Sequence, residues 1–329
     1  MCTNNESLLK DVRLLRDTPV LVLGYNRPDK IAQLLRRLGE LAPPVIIYSV
    51  DGPRAHIAGD AQRVAEVQQL SSLITWTDRV ETRFREKNVG LQTAVTESVN
   101  HAVSEFGQVI VLEEDTLPGP HWLAYATTML DRHRDEREIM HISGYNVVPP
   151  AQLDGTPVGS RLTRYPESIA WATWDRAWQH FDPTLDWGLN ASVSDLENVV
   201  GTRAGALRWK QNFHDANSGR ISTWAYRWIS SMWSANGFVL SPNSNLVTYK
   251  GYDEGSNTFL KAPWDELDLF DGDIDALIEN EPQLDRSADA WVARRVFGET
   301  LFGITRGVAV SAVLELRRRR RAKRQARVT

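Results

Sequence analysis

The apolar positions of this chain fall into two alternating periods. Apolar runs at Pro19–Leu23 and Val109–Leu112, and a strand over Val45–Val50, give the pattern of strands buried on both faces of a largely parallel sheet. Between them apolar residues recur at helical spacing: Ile31, Leu34, Leu35, Leu38 and Leu41; then Val64, Val67, Leu70, Leu73 and Ile74; then Leu91, Ala94, Val95, Val99, Ala102, Val103 and Phe106. Pro28 suits the first position of the first helix and Asp29 its positive end, while Gly107 stops the third. The first 118 residues therefore read strand, helix, strand, helix, helix, strand, with a polar loop after each strand. Parallel strands need helical crossovers, so the pattern predicts a layered, Rossmann-like α/β unit.

Beyond Pro120 a helix through Trp122, Ala126, Met129 and Leu130 leads to a strand over Ile139–Ser143, which ends at Gly144-Tyr145-Asn146. Residues 147–168 are rich in Pro, Gly and Thr and read as loop, the best boundary between two halves. Helices are predicted over 204–216 and 224–235, a polar loop over Asp253–Asn257, and a solvated acidic segment over Asp265–Asp275. This divides the chain into an arm (1–18), a first half (19–146), a second half (147–285) and a C-terminal helix with a basic tail (286–329). Nine of the twelve Trp lie between Trp171 and Trp264, so the second half is the aromatic one. Such density means either core packing or flat faces offered to a ligand.

The polar positions that matter sit where strands end. Glu113, Glu114 and Asp115 follow one apolar run directly, and Pro118-Gly119-Pro120 then forces a turn. Asp51-Gly52-Pro53 places another carboxylate at the same sheet edge, where open α/β folds bind ligands. Three adjacent carboxylates repel one another unless a cation or solvent relieves them. A divalent ion shared with a ligand's phosphates would do so; a solvated strand exit is the plainer reading. No Gly-x-Gly-x-x-Gly follows the first strand and no phosphate loop with Gly-Lys-Ser/Thr occurs, which weighs against dinucleotide and P-loop enzymes. The seven His are dispersed without metal-ligand spacing, and no Ser stands in a nucleophile elbow.

Charge and cysteine content add the setting. The formal charge of −4 conceals a basic tail: Arg317 to Arg321, Lys323, Arg324 and Arg327 leave 30 basic against 42 acidic residues in the rest of the chain. Behind the mostly apolar Leu301–Leu316, residues 317–329 read as the polybasic end of an interfacial helix suited to an anionic membrane surface. A solvated tail and nonspecific nucleic-acid contact are the alternatives, and no nucleic-acid partner is expected. The single Cys2 excludes an internal disulfide, and no apolar segment has the length of a membrane span. The expectation is a cytoplasmic protein, peripheral on the membrane face.

Four motifs taken together carry a resemblance. Gly24-Tyr25-Asn26-Arg27-Pro28, Ser49-Val50-Asp51-Gly52, Asn88-Val89-Gly90-Leu91 and Leu112-Glu113-Glu114-Asp115 resemble, in order and spacing, the nucleotide-sugar half of GT-A-fold glycosyltransferases, closest to bacterial relatives of N-acetylglucosaminyltransferase I. The likeness continues through Ile142–Asn146, Trp171-Ala172-Thr173-Trp174 and Asn245-Leu246-Val247, covering roughly residues 19–260. It implies a metal-dependent, inverting transfer from a nucleotide diphosphate sugar, UDP-linked by preference, to a glycan or lipid-linked glycan hydroxyl. Tyr25, Asn26 and Arg27 would lie beside the base, Asp51 would accept from base or ribose, and Asn88 and Gly90 would line the same pocket. Glu113 and Glu114 would contact ribose and donor sugar, and Asp115 would ligate Mn²⁺ or Mg²⁺. Trp171, Trp174 and Trp224 are the candidate acceptor platforms.

Two departures stand out. Ala225 occupies the place where the family usually carries the Asp base, with Asp253 and Glu254 as nearby substitutes. Asn257 stands where a His is common, and it is the second candidate metal ligand. The rivals are a donor-binding protein without turnover, which Ala225 favours, and a sugar-nucleotide nucleotidyltransferase, which would want a Gly-rich basic loop that Gly24–Pro28 does not supply.

Overall fold

A computed structural model describes residues 18–155, 157–221, 223–252 and 267–300. The apolar runs become strands and the helical periods helices, in the order β1 (Val20–Gly24), α1 (Pro28–Leu41), β2 (Ile46–Val50), α2 (Asp60–Gln69), β3 (Val80–Phe84), α3 (Leu91–Phe106) and β4 (Gln108–Glu113). β1 pairs in parallel with β2 on one side and with β4 on the other, and β2 pairs in parallel with β3. The apolar pattern does not predict β3. It is an edge strand, Val80-Glu81-Thr82-Arg83-Phe84, with no fully buried position. A strand with a neighbour on one side only is not forced into the continuous apolar run that marks a central one.

The chain continues through β5 (Thr116–Pro118), α4 (Trp122–Arg132), β6 (Ile139–Ser143), β7 (Ser160–Thr163) and β8 (Trp171–Trp174). Helices α5 (Asp175–Trp178), α6 (Asp186–Asn190), α7 (Val193–Val200), α8 (Arg203–Asn217) and α9 (Ala225–Ser234) follow, then β9 (Phe238–Pro242), β10 (Val247–Tyr249), α10 (Asp275–Ile278) and α11 (Arg286–Arg295). The strands build one eight-stranded mixed sheet, β3-β2-β1-β4-β8-β6-β9-β7, and a separate β10–β5 pair. β7 corrects the reading of 147–168 as loop: it pairs antiparallel with β9, Ser160 opposite Pro242 and Thr163 opposite Val239. Strands from both halves of the chain thus share one sheet, mostly parallel, with helices packed against it.

The aromatic half is core. Trp171, Trp209, Trp228 and Trp233 are fully buried. The Trp171 ring stacks on His141 at 5.3 Å, and Trp228 donates from its indole nitrogen to His141 Nδ1 at 3.1 Å. Nε2 therefore carries the proton and donates to the Glu167 carbonyl at 3.3 Å. Burial lowers the His141 pKa to about 3, so the ring is neutral packing. Trp174 is also buried and donates to the Leu130 carbonyl at 2.9 Å. Removing one such ring costs about 3–5 kcal/mol, a large part of a stability of about 5–15 kcal/mol. That cost alone accounts for tryptophans here.

Two of the motifs, one from each half, are tied together at the sheet edge. Asn245 accepts from the Asn146 backbone N–H at 2.6 Å, and Asn146 in turn donates to the carbonyls of Val148 and Asn243. The buried Arg161 donates to the Pro242 carbonyl and to Asn146 and Asn243. The segment that carries Leu246 and Val247 is thereby held beside the exit of β6. Among the described residues no helix is long and apolar enough to cross a membrane. The expected apolar helix over Leu301–Leu316 and the basic tail 317–329 lie outside the described residues.

Two acids fasten the described C-terminal segment. Glu299 accepts from the Tyr165 hydroxyl at 2.8 Å and the Trp209 indole at 2.7 Å, and Asp289 accepts from Thr163 and from the Arg164 N–H. Burial pushes Glu299 up to about 7 and Asp289 up to about 6. The folded state therefore keeps a proton on Glu299 that the unfolded chain, at an ordinary 4.5, has already released. The stability this contributes is complete below the unfolded pKa and is lost as pH rises through about 7. Melting temperature should fall as pH is raised through that window, and Glu299→Gln should flatten the fall. A wild-type and a variant curve of equal slope below about pH 7 would remove Glu299 as the cause.

Candidate functional site

Since β1 has parallel neighbours on both sides, the chain leaves it toward β2 and returns to its other flank only with β4. The loops leaving β1 and β4 diverge there, which opens a crevice at the carboxyl edge of the sheet. The crevice is a cavity of about 1130 Å³. Tyr25, Asn26 and Arg27 line it from the β1 loop, Glu113, Glu114 and Asp115 from the end of β4, and Asp51, Asn88 and Gly90 from the β2 and β3 exits. Trp224 and Ala225 close it at the start of α9. Eleven residues singled out in the sequence thus face one space. Trp171 and Trp174 do not reach it, and Asp253, Glu254 and Asn257 lie outside the described residues.

Arg27 is the centre of charge. Its Nε donates to Glu114 Oε1 and its Nη2 to Asp115 Oδ2, the latter at 3.1 Å. Glu114 Oε2 also accepts from the Tyr25 backbone N–H at 2.9 Å. Burial pulls the Arg27 pKa down, but the two carboxylates more than reverse this and hold the guanidinium charged. Burial raises Glu114, against the pull of Arg27. Glu113 has no such partner: burial, then the charge of Asp115, push it up to about 8, opposed by a hydrogen bond with the Trp224 side chain. Near neutral pH Glu113 therefore keeps its proton, and Glu114 and Asp115 against the one Arg27 guanidinium leave a single negative charge in excess.

The other two acids are already engaged by the protein. Asp51 Oδ1 accepts from the N–H groups of Gly52 and Val89, and Oδ2 from Asn88 Nδ2 and the Gly90 N–H, at 2.8–3.2 Å. A carboxylate has about four lone-pair sites, so Asp51 spends its capacity in bracing the 88–90 loop. Gly90, at a φ of 83°, makes the turn into α3. Asp60, the first residue of α2, is fully buried. It accepts from the Tyr25 hydroxyl at 2.5 Å, Asn26 Nδ2 at 2.6 Å and the Arg54 N–H at 2.8 Å, with the Arg54 side chain alongside. Burial alone would raise its pKa, yet these donors hold it well below the ordinary range.

Asp60, Arg54 and Arg85 are the site residues that sequence reasoning misses. Arg85 donates to Ser49 at 3.1 Å and pairs with Glu97, and both arginines line the cavity. Their only sequence signal is a basic residue shortly after a strand, which most surface loops share.

Among the described residues no group of three or more His, Cys, Asp or Glu side chains is arranged to hold a metal ion. The donor set fits a different kind of site. Mg²⁺-like ions bind through one or two carboxylates, waters and a ligand's phosphates, and the excess negative charge beside Asp115 suits such a shared ion. The fold and cleft define an α/β protein with a ligand crevice at the switch point of a mostly parallel sheet. The chain matches no known family model, and no curated protein matches it in sequence.

One glycine ties this site to the fold. A Cβ on Gly52 would overlap the backbone of Lys87, so the loop after β2 lies directly on the strand exit that leads to Asn88 and Gly90. Gly52→Ala should cost about 1–3 kcal/mol, the usual range for overpacking. Urea unfolding reads this out, and a variant with unchanged midpoint would show that the two loops part without cost.

Proposed function

We propose that this protein is a GT-A-type glycosyltransferase that moves a sugar from a nucleoside diphosphate donor, UDP by preference, to a glycan hydroxyl with inversion. One observation carries the reading: Arg27, Glu114 and Asp115 are interlocked at the switch-point crevice, in a cavity shared with the other motif residues of the resemblance. A volume of about 1130 Å³ exceeds the roughly 300–1,000 Å³ usual for one small ligand, as a donor and an incoming acceptor require.

In a single displacement the acceptor oxygen bonds to the anomeric carbon as the bond from that carbon to the diphosphate oxygen breaks. The nucleoside diphosphate leaves with the electron pair, and the hydroxyl proton passes to a base. Arg27 would lie beside the nucleotide, with a charge that its carboxylate partners keep in place. Asp115 would hold a Mn²⁺ or Mg²⁺ ion shared with the diphosphate, which would offset the leaving group's charge. Asp51 and Asp60 hold the loops that form the donor wall, so little ordering remains for a ligand to impose.

Ala225 favours a second reading, a protein that binds donor and transfers slowly. It is the first residue of α9, its N–H accepted by Thr223 Oγ1 at 3.1 Å. An acid there would be kept ionised by the helix dipole, but a methyl group takes no proton.

Two measurements test these readings. Calorimetry of UDP with Mn²⁺ should show binding that weakens at least ~10-fold, about 1.4 kcal/mol, in Asp115→Asn. Unchanged metal-dependent affinity would sink the assignment of Asp115. Turnover against a glycan acceptor should rise about 10²–10⁴-fold in Ala225→Asp with little change in donor affinity, the usual worth of a general base. If wild type already turns over at ordinary rates and Ala225→Asp is no faster, the base lies elsewhere.

A further inference from the structure

Next to the main crevice lies a second cavity of about 210 Å³, and the two share Leu91, Thr223 and Trp224 as a common wall. Its lining differs in charge. The main crevice presents acids and arginines together, whereas among the described residues Arg227 is the only ionisable one around the second. Arg227 Nε donates to the Pro183 carbonyl at 2.8 Å and Nη1 to the Thr223 carbonyl at 3.1 Å, which fixes the plane of the head. Among the described residues Nη2 donates to no protein acceptor. The nearby Asp182 carboxylate is taken up by Thr184 and the Asp186 N–H, so it shields the guanidinium without capping it. Gln92 and Asn217 add uncharged amides to the rim, and α3 begins there without a side-chain cap.

We propose that this second cavity is the acceptor subsite and that it selects an anionic sugar, whose carboxylate or phosphate pairs with Arg227. The inference rests on the transferase reading for the word acceptor, and on the cavity alone for the anion. Two facts of chemistry support it. A guanidinium held in plane with Nη2 unspent suits a carboxylate or phosphate oxygen. A body with 30 basic and 42 acidic residues outside the tail repels anions generally, so an anionic ligand needs a dedicated cation of this kind. The space is below that of a whole drug-sized ligand and opens beside the donor crevice, which suits the terminal ring of an acceptor whose hydroxyl must reach the donor sugar.

The test uses the full-length protein and three probes: methyl β-glucuronide, glucose 6-phosphate and the neutral methyl β-glucoside. Tryptophan fluorescence and calorimetry follow binding, and UDP with Mn²⁺ is titrated separately. Both anionic probes, or one of them, should bind at least ~10-fold tighter than the glucoside. The stronger of the two identifies whether the natural group is a carboxylate or a phosphate. Arg227→Gln should erase this preference and leave UDP affinity unchanged. Because Arg227 also braces two carbonyls, Asn217→Asp provides a second variant: an exposed acid at the rim should weaken the anionic probes and spare the glucoside. Equal binding of neutral and anionic probes by wild type, or a preference that survives both variants, overturns the proposal. Failure of UDP to bind while the anionic preference persists would remove the transferase reading and leave the anion site.

Discussion

The site depends on one ion cluster, the Arg27 guanidinium set between Glu114 and Asp115. β4 is buried along Val109–Leu112, so the carboxylates at its end leave the core at a point with little water. Without a counter-charge they would repel one another and pay for desolvation. Arg27 comes from the loop after β1, and β1 is the direct parallel neighbour of β4. The pairing of those two strands is thus also the pairing of the charges. Taking away one partner would leave a buried charge uncompensated, at about 3–5 kcal/mol. The crevice, the Tyr25 turn and the position of Asp115 all hang on this contact.

Around that cluster, acids act as internal struts. Asp51 holds the turn into α3 through four donors, and Asp60 gathers Tyr25, Asn26 and Arg54 into one wall. Carboxylates satisfied in this way are structural acceptors that keep polar loops in a single shape. Glu113 and the unused edge of the Asp115 carboxylate are left as the groups with capacity for a ligand. The distribution favours a pocket that is formed before a ligand arrives. In the proposed transfer, chemistry then depends on what α9 offers at its first turn, where Trp224 separates two cavities and Ala225 supplies no base.

The aromatic half shows why composition misleads about function. A run such as Trp171-Ala172-Thr173-Trp174 is compatible with sugar platforms, but β8 sits between β4 and β6 in the middle of the sheet. Rings on a central strand are covered on both faces, and among the described tryptophans only Trp224, on the loop into α9, reaches the cavity wall. Rank in the sheet decides this, and rank is a long-range property.

The sequence by itself determined the layered α/β class, the strands β1, β2 and β4, their helices, and the strand-end residues that meet in the crevice. Those follow from local physics: apolar runs and helical periods report burial, and polar residues at the carboxyl ends of parallel strands have one sheet edge to occupy. Tertiary structure alone decided the rest. β3 and β7 are edge strands whose one-sided pairing leaves only a weak pattern, and the antiparallel insertion of β8 joins the two halves through contacts far apart in the chain. Asp60 looks like an ordinary helix-start acid until Tyr25, Asn26 and Arg54 converge on it, and Arg227 like an ordinary surface cation until α9 turns it toward a cavity. In each case the deciding partner is distant in sequence, and no local period encodes it.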